Sequence, residues 1–269
     1  AIQSDGKLLM AGSFDGTSQD FGLARFNNDG SEDSSFNGNG LAYMDFFGQS
    51  DVANAIALQT DGKIVVAGSA YFNDEHRDDF ALVRYNSDGS LDAGFGSNGR
   101  ATTDFLGGAD YATGVVIQND GKIVVAGYAY DEVNFDYEFA LACYTSTGQL
   151  DPTFGSGGKV TTDLTTKSDR AYALALVGDK IVVVGEARNG TYNDFALARY
   201  NADGSLDASF DGDGIVFTDF DGYADAGRAV VLQQDGKLVV AGFRKDVYSN
   251  DFALARYNSD GSLDVTFGI

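Results

Sequence analysis

The stretch DGKIVVAG (Asp61–Gly68) followed by DFALVRYNSDGSLDAGFGSNGRATTDF (Asp79–Phe105) is nearly repeated as DGKLVVAG (Asp235–Gly242) and DFALARYNSDGSLDVTFG (Asp251–Gly268). Weaker copies run through the rest of the chain. Their shared lysine stands at Lys7, Lys63, Lys122, Lys180 and Lys237, at intervals of 56, 59, 58 and 57 residues. A fixed period of this length is the mark of an array of similar supersecondary units. The repeats fall at about 1–49, 50–108, 109–167, 168–223 and 224–269, and unbroken repetition over 269 residues argues for one domain.

The second copy gives the unit. Asp51–Gln59 alternates small or apolar residues and ends in Thr60-Asp61-Gly62, an Asp-Gly hairpin signal. Lys63–Gly68 is β-branched and almost wholly apolar, as a strand covered on both faces would be. Phe80–Tyr85 is a third strand, closed by the Asn86-Ser87-Asp88-Gly89 turn. Leu91–Phe95 reads as a short helical turn capped by Asp92, before a more polar fourth strand over Arg100–Phe105. Four antiparallel strands graded from small and apolar to polar describe a propeller blade read from its axis outward. Alanines at 53, 55, 57, 112, 171, 173, 175, 226 and 229 suit crowded innermost strands.

The expected fold is therefore all-β, a five-bladed β-propeller of four-stranded antiparallel blades. Phe36 to Lys63, Phe95 to Lys122 and Phe210 to Lys237 are each 27 residues apart. From Phe267 through Ile269, and on from Ala1 to Lys7, only 9 steps are available, so the ring is expected to be incomplete at the termini.

Composition narrows the functional classes. Forty acidic against eighteen basic residues give a formal charge of −22, which repels phosphate backbones and anionic headgroups. Nucleic acid is excluded as an expected partner. No apolar run reaches the length of a membrane helix, so membrane insertion is not expected either. One cysteine, Cys143, forbids an intrachain disulfide and a cysteine metal cluster.

The combined motif DGKIVVAG, DFAL, RYN, DG, LD, FG and TDF closely resembles the delta-60 repeat β-propeller family of bacterial, largely secreted or surface proteins, with a strand order similar to the NHL repeat. The resemblance covers essentially the whole chain. It implies a propeller and a secreted or cell-surface location, and it implies no catalytic set. Departures include Gly22, Glu32, Cys143 in place of the repeated arginine, Thr147, and the inverted turn Gly178-Asp179.

Residues repeated in nearly every copy are read as scaffold. Arg25, Arg84, Arg199 and Arg256 on third strands are expected to pair with Asp45, Asp104, Asp163 and Asp219 on fourth strands. The Asn-x-Asp-Gly-x-x-Asp turns resemble calcium loops in passing, but lack the final bidentate Glu over twelve residues. Turn chemistry explains them. The same holds for Asp211-Gly212-Asp213-Gly214, whose register reads Asn37-Gly38-Asn39-Gly40 in the first repeat. No cofactor is expected, and calcium is the one cation considered.

Asp51, Asp110, Asp169 and Asp225 open four first strands. They are expected either to ring the mouth of a central channel or to satisfy backbone N–H groups at the crossovers. Divergence concentrates between second and third strands, in segments carrying Tyr71, Tyr130, Tyr192 and Tyr248 beside amides and charges. These tyrosines, backed by the four aspartates, form the candidate ligand site for a sugar or peptide. No nucleophile motif, metalloprotease helix or phosphate loop is present, and the single histidine, His76, lacks an evident partner. The expected function is a noncatalytic structural or interaction module, with a protein or glycan partner or self-assembly through edge strands. A lectin-like carbohydrate-binding propeller and a carboxylate-dependent glycosidase or lyase are the alternatives.

Overall fold

In the second, third and fourth repeats the β-branched second strand becomes a buried interior strand of a small antiparallel sheet. The computed structural model describes residues 1–15, 18–72, 77–246 and 248–268; His76 lies outside them. The first sheet is β1 (Leu8–Asp15), β2 (Gln19–Phe26) and β3 (Leu41–Met44). The second is β4 (Asp51–Leu58), β5 (Ile64–Phe72), β6 (Arg77–Tyr85) and β7 (Arg100–Thr103). The third is β8 (Gly107–Ile117), β9 (Ile123–Asp131), β10 (Asp136–Tyr144) and β11 (Lys159–Thr162). The fourth is β12 (Arg170–Val177), β13 (Lys180–Ala187), β14 (Asp194–Tyr200) and β15 (Ile215–Thr218). The fifth is β16 (Asp225–Leu232), β17 (Leu238–Lys245) and β18 (Asn250–Tyr257).

Sequential meanders of this kind are the blades of a β-propeller. The four-strand template holds in the middle three sheets, and the first and fifth have three strands each. No described residue is helical. The helical turn expected at Leu91–Phe95 is a plain turn, because Asp92 Oδ1 accepts only the Gly94 N–H while its other oxygen is taken by Arg84 and Lys63. No helix is long and apolar enough to cross a membrane.

The chain divides into two compact units, residues 1–125 with 143–151 and residues 126–142 with 152–269, the division passing through β9 and β10. In the first unit Leu9, Phe21, Phe36, Ile64, Val66 and Tyr85 share one core. In the second, Val182, Val184, Phe195, Phe210, Val240 and Tyr257 do the same. First strands neighbour one another from blade to blade: β4 lies against β8 in the first unit and β12 against β16 in the second. Small side chains at these contacts allow the approach.

The glycine within the second strand has a steric cause in the second, fourth and fifth repeats. A bulge interrupts β4 between Ala53 and Ala55, β12 between Ala171 and Ala173, and β16 between Gly227 and Ala229. The kinked strand then presses its backbone onto the partner, so a Cβ on Gly68, Gly185 or Gly242 would stand 1.9 Å from a carbonyl oxygen. Gly12, at the same place in the first sheet, meets nothing within 4 Å.

Candidate functional site

Most of the repeated polar groups are consumed in joining one blade to the next. The third-strand arginines pair with the aspartate eight residues further on, and not with the fourth-strand aspartates expected from the sequence. Arg25 Nε stands 2.7 Å from Asp33, and Arg84, Arg199 and Arg256 stand 2.8 Å from Asp92, Asp207 and Asp264. The hairpin lysines converge on the same carboxylates, with Lys7 at 2.7 Å from Asp33 and Lys237 at 2.6 Å from Asp264. Lys7 and then Ser35 hold Asp33 far below the usual carboxylate range, and Lys237 and then Thr266 do so for Asp264. Where Cys143 replaces the arginine, Asp151 keeps Lys122 at 2.8 Å. The retained partner is Asp151, and Asp163 is not part of this pair.

Each guanidinium also lies over the phenylalanine of its own repeat, at 4.6 Å for Arg25 over Phe36 and Arg84 over Phe95 and 4.5 Å for Arg199 over Phe210. It then donates across to the following repeat's turn, from Arg25 Nη1 to Ser87 O at 2.6 Å and likewise from Arg84 to Ser146 and Arg199 to Ser259. Backbone bonds run in parallel, from Asn37 N to Asp88 O and from Asp211 N to Asp260 O, both 2.7 Å. The phenylalanine ring fills the space under the turn glycine: Phe36 under Gly89, Phe95 under Gly148, Phe154 under Gly204 and Phe210 under Gly261. Asn37 and Asp211 adopt left-handed backbone in these glycine turns.

The first-strand aspartates are enclosed rather than open at a mouth, with Asp51, Asp110 and Asp169 fully buried and Asp225 2% exposed. Each accepts a crossover N–H five residues upstream, from Phe46, Phe105, Leu164 and Phe220 at 2.7–2.8 Å. Three of them gather two further carboxylates: Asp20 and Asp45 join Asp51, Asp79 and Asp104 join Asp110, and Asp194 and Asp219 join Asp225, with one oxygen of each within 4.8 Å of the others. Burial, opposed by these hydrogen bonds, pushes Asp51 up to about 6, Asp169 to about 7 and Asp110 to about 8. Such all-oxygen groups are chemically suited to a hard cation or to a retained proton.

The segments that diverge between repeats are mostly strand and not loop. Tyr71 lies in β5, where its N–H meets Asp51 Oδ1 at 3.3 Å, and Tyr130 lies in β9. Tyr192 and Tyr248 occupy the β13–β14 and β17–β18 turns, 45% and 94% exposed. The second unit brings several of these divergent residues together. Tyr130 and Tyr128 both meet Tyr137 edge-on, at 5.1 and 5.2 Å, and Arg170 lies 4.7 Å over the Tyr137 ring. Glu186 receives the Tyr172 hydroxyl at 2.9 Å and stands 3.6 Å from Arg170.

Beside this cluster is a cavity of about 330 Å³ walled by three connections: Asn134, Phe135 and Asp136 after β9, Thr166 to Ser168 with Arg170 before and in β12, and Arg188 with Asn193 after β13. Phe135 is 75% exposed and its backbone is left-handed at φ 60°, rare for an aromatic residue. Asp169 lies directly behind Ser168, and Tyr192 directly before Asn193. Lys167, Phe135 and Arg188 were not singled out by sequence reasoning. The signal available was lysine in a crossover that elsewhere reads FGQSD, LGGAD or DGYAD.

The model of the family described as a domain of unknown function (DUF5122) beta-propeller matches residues 3–36, 59–95, 118–154, 179–210 and 233–267, more than half of the chain. The chain belongs to the DUF5122 beta-propeller family. No curated protein matches its sequence. Among solved structures it is similar to a polysaccharide lyase of family PL25, an ulvan lyase, at TM-score 0.56 and 12% identity, covering 96% of this chain and 68% of that one. It is also similar to sucrose-6-phosphate hydrolase from Lactobacillus gasseri, at TM-score 0.51 and 11% identity, covering 96% of this chain and 58% of that one. These likenesses establish the fold alone.

In this DUF5122 propeller the five matched segments each run from a hairpin lysine's neighbourhood to a capped-turn phenylalanine, which is the span that builds the blade-to-blade clamp. Of the residues walling the cavity, Thr166, Lys167, Ser168 and Arg170 fall outside these segments, whereas Phe135, Arg188 and Asn193 lie within them, in the connections between strands. Chemically the cavity offers three cations, one carboxylate, two amides, two hydroxyls and one exposed aromatic face.

Proposed function

We propose that the protein is a noncatalytic structural and interaction module of a secreted or cell-surface bacterial protein or assembly. The observation that carries this reading is the division of labour between repeated and unrepeated polar residues. Arg25, Arg84 and Arg199, their paired aspartates, the hairpin lysines and the first-strand aspartates are all engaged inside the scaffold. The side chains that wall the cavity belong to connections that differ from blade to blade. Resemblance to delta-60 repeat proteins supports the outward-facing location, and the −22 charge suits a protein that stays dispersed.

The test is to incubate the chain with arrayed and soluble oligosaccharides and peptides, and to follow both retention and the mass of each compound over hours. Retention with unchanged masses is expected. Appearance of cleaved or unsaturated products, lost on substituting any carboxylate of the chain, would replace this reading by that of a glycosidase or lyase.

A further inference from the structure

We infer that the cavity between the β9–β10, β11–β12 and β13–β14 connections is a binding site for an acidic saccharide, a uronate-bearing glycan segment. The inference rests on the interaction-module reading and gives it a ligand class. Charge is the first argument. In a chain with forty acidic residues, most basic side chains pair with a carboxylate, yet Lys167 and Arg188 make no ion pair among the described residues, and both line this one cavity. Among the described residues Arg188 is held only by its Nε bond to Thr191 O at 3.1 Å, which leaves its terminal nitrogens open. Arg170 completes the set, oriented by the Tyr137 ring and by Glu186. Cations concentrated in a concavity focus an anion there against the field of an acidic protein.

The remaining wall selects among anions. Phe135 offers an exposed ring face at the cavity edge, suited to the C–H face of a pyranose. Asn193 and Ser168 supply donors and acceptors, Asn134, whose amide nitrogen donates to Asp131, offers its carbonyl oxygen, and Asp136 adds a carboxylate that accepts from hydroxyls. A volume of about 330 Å³ is at the small end of ligand sites and matches a short saccharide segment. An extended acidic peptide would dock by adding to a strand edge or by sinking apolar anchors. This cavity is walled by connecting segments and has Phe135 as its one large apolar side chain. Phosphate alone would use the cations and leave the ring and amides idle.

The test is calorimetric titration of the full chain with a defined oligouronate, its carboxyl-reduced neutral counterpart, poly-glutamate and inorganic sulfate. The wild-type protein is compared with Lys167→Gln, Arg188→Gln and Phe135→Ala, all exposed substitutions that leave the core untouched. The oligouronate is expected to bind, with affinity falling about tenfold or more in each charge variant and weakening as salt rises. The neutral sugar is expected to lose most of the affinity. Equal binding of the neutral sugar, unchanged affinity in both charge variants, or poly-glutamate or sulfate binding as tightly as the oligouronate would overturn the inference. Those failures leave the module reading standing, whereas shortened or unsaturated products in the calorimeter cell would end that reading as well.

Discussion

Replacing Gly148 by alanine should cost far more than replacing Gly121, although both lie in turns of the third repeat with almost the same backbone, φ 83° and 85°. Left-handed backbone costs an alanine about 1–2 kcal/mol, and both variants bear that equally. They differ in what the new methyl meets. At Gly148 it would lie 2.7 Å from Phe95 Cε2 and 2.8 Å from the Gly96 nitrogen, against 3.8 Å from Ser146 Cβ at Gly121. Phe95 is fully buried and held under Arg84, so it has no room to retreat. Overpacking of this kind costs about 1–3 kcal/mol, which brings Gly148→Ala to about 2–5 kcal/mol in all. Urea denaturation followed by far-ultraviolet circular dichroism measures both, compared at constant m-value. Losses equal to within about 0.5 kcal/mol would show that the following repeat's turn does not rest on the ring, and the clamp account would be wrong.

Other consequences are equally accessible. Tyr144, Tyr200 and Tyr257 share their hydroxyls with Thr103, Thr162 and Thr218, but at that register the first repeat has Met44, packed in the same core as Tyr85, whose buried hydroxyl has no partner among the described residues. Met44→Thr is expected to satisfy that group and to leave stability unchanged or raised by about 1 kcal/mol, against the loss of about 1 kcal/mol or more usual for truncating a packed methionine. The buried aspartates have folded pKa values raised above 3.8, so they stabilise most when protonated and lose that contribution as pH rises through about 6 to 8. Asp33 and Asp264 run the opposite way and withdraw support only below about 4. Urea midpoints in EDTA-containing buffer should therefore be higher at pH 5.5 than at pH 8.5, and Asp110→Asn should flatten the difference; a midpoint that climbs from pH 5.5 to 8.5 would contradict this. Burial pushes the Cys143 thiol up to about 12, so thiol reagents should label it only as the chain unfolds, and prompt labelling under native conditions would place it elsewhere.

The blade was legible because period-2 and Asp-Gly signals recur five times, so local ambiguity in one copy is settled by another. The glycine of KIVVAG was legible as a repeat but not as a steric necessity, since the bulge that crowds Gly68 is a property of two strands together. The arginine was assigned to the wrong aspartate for a related reason. Strand order places Asp104 in the adjacent strand, whereas the capped turn folds Asp92 back beneath Arg84, a bend that residue spacing does not display. The candidate site was half legible: its connecting segments were marked by divergence, but divergence names neither Lys167 nor Arg188. Their significance comes from sharing one cavity while lacking, among the described residues, the carboxylates that most other cations have.

Hydrogen exchange of the full chain with and without saturating oligouronate tests the central claim most directly. Protection is expected in residues 131–136, 166–170 and 188–193, with the rest of the chain unchanged. Protection confined to the strand edges at β1 or β18, or none at saturation, would contradict the account.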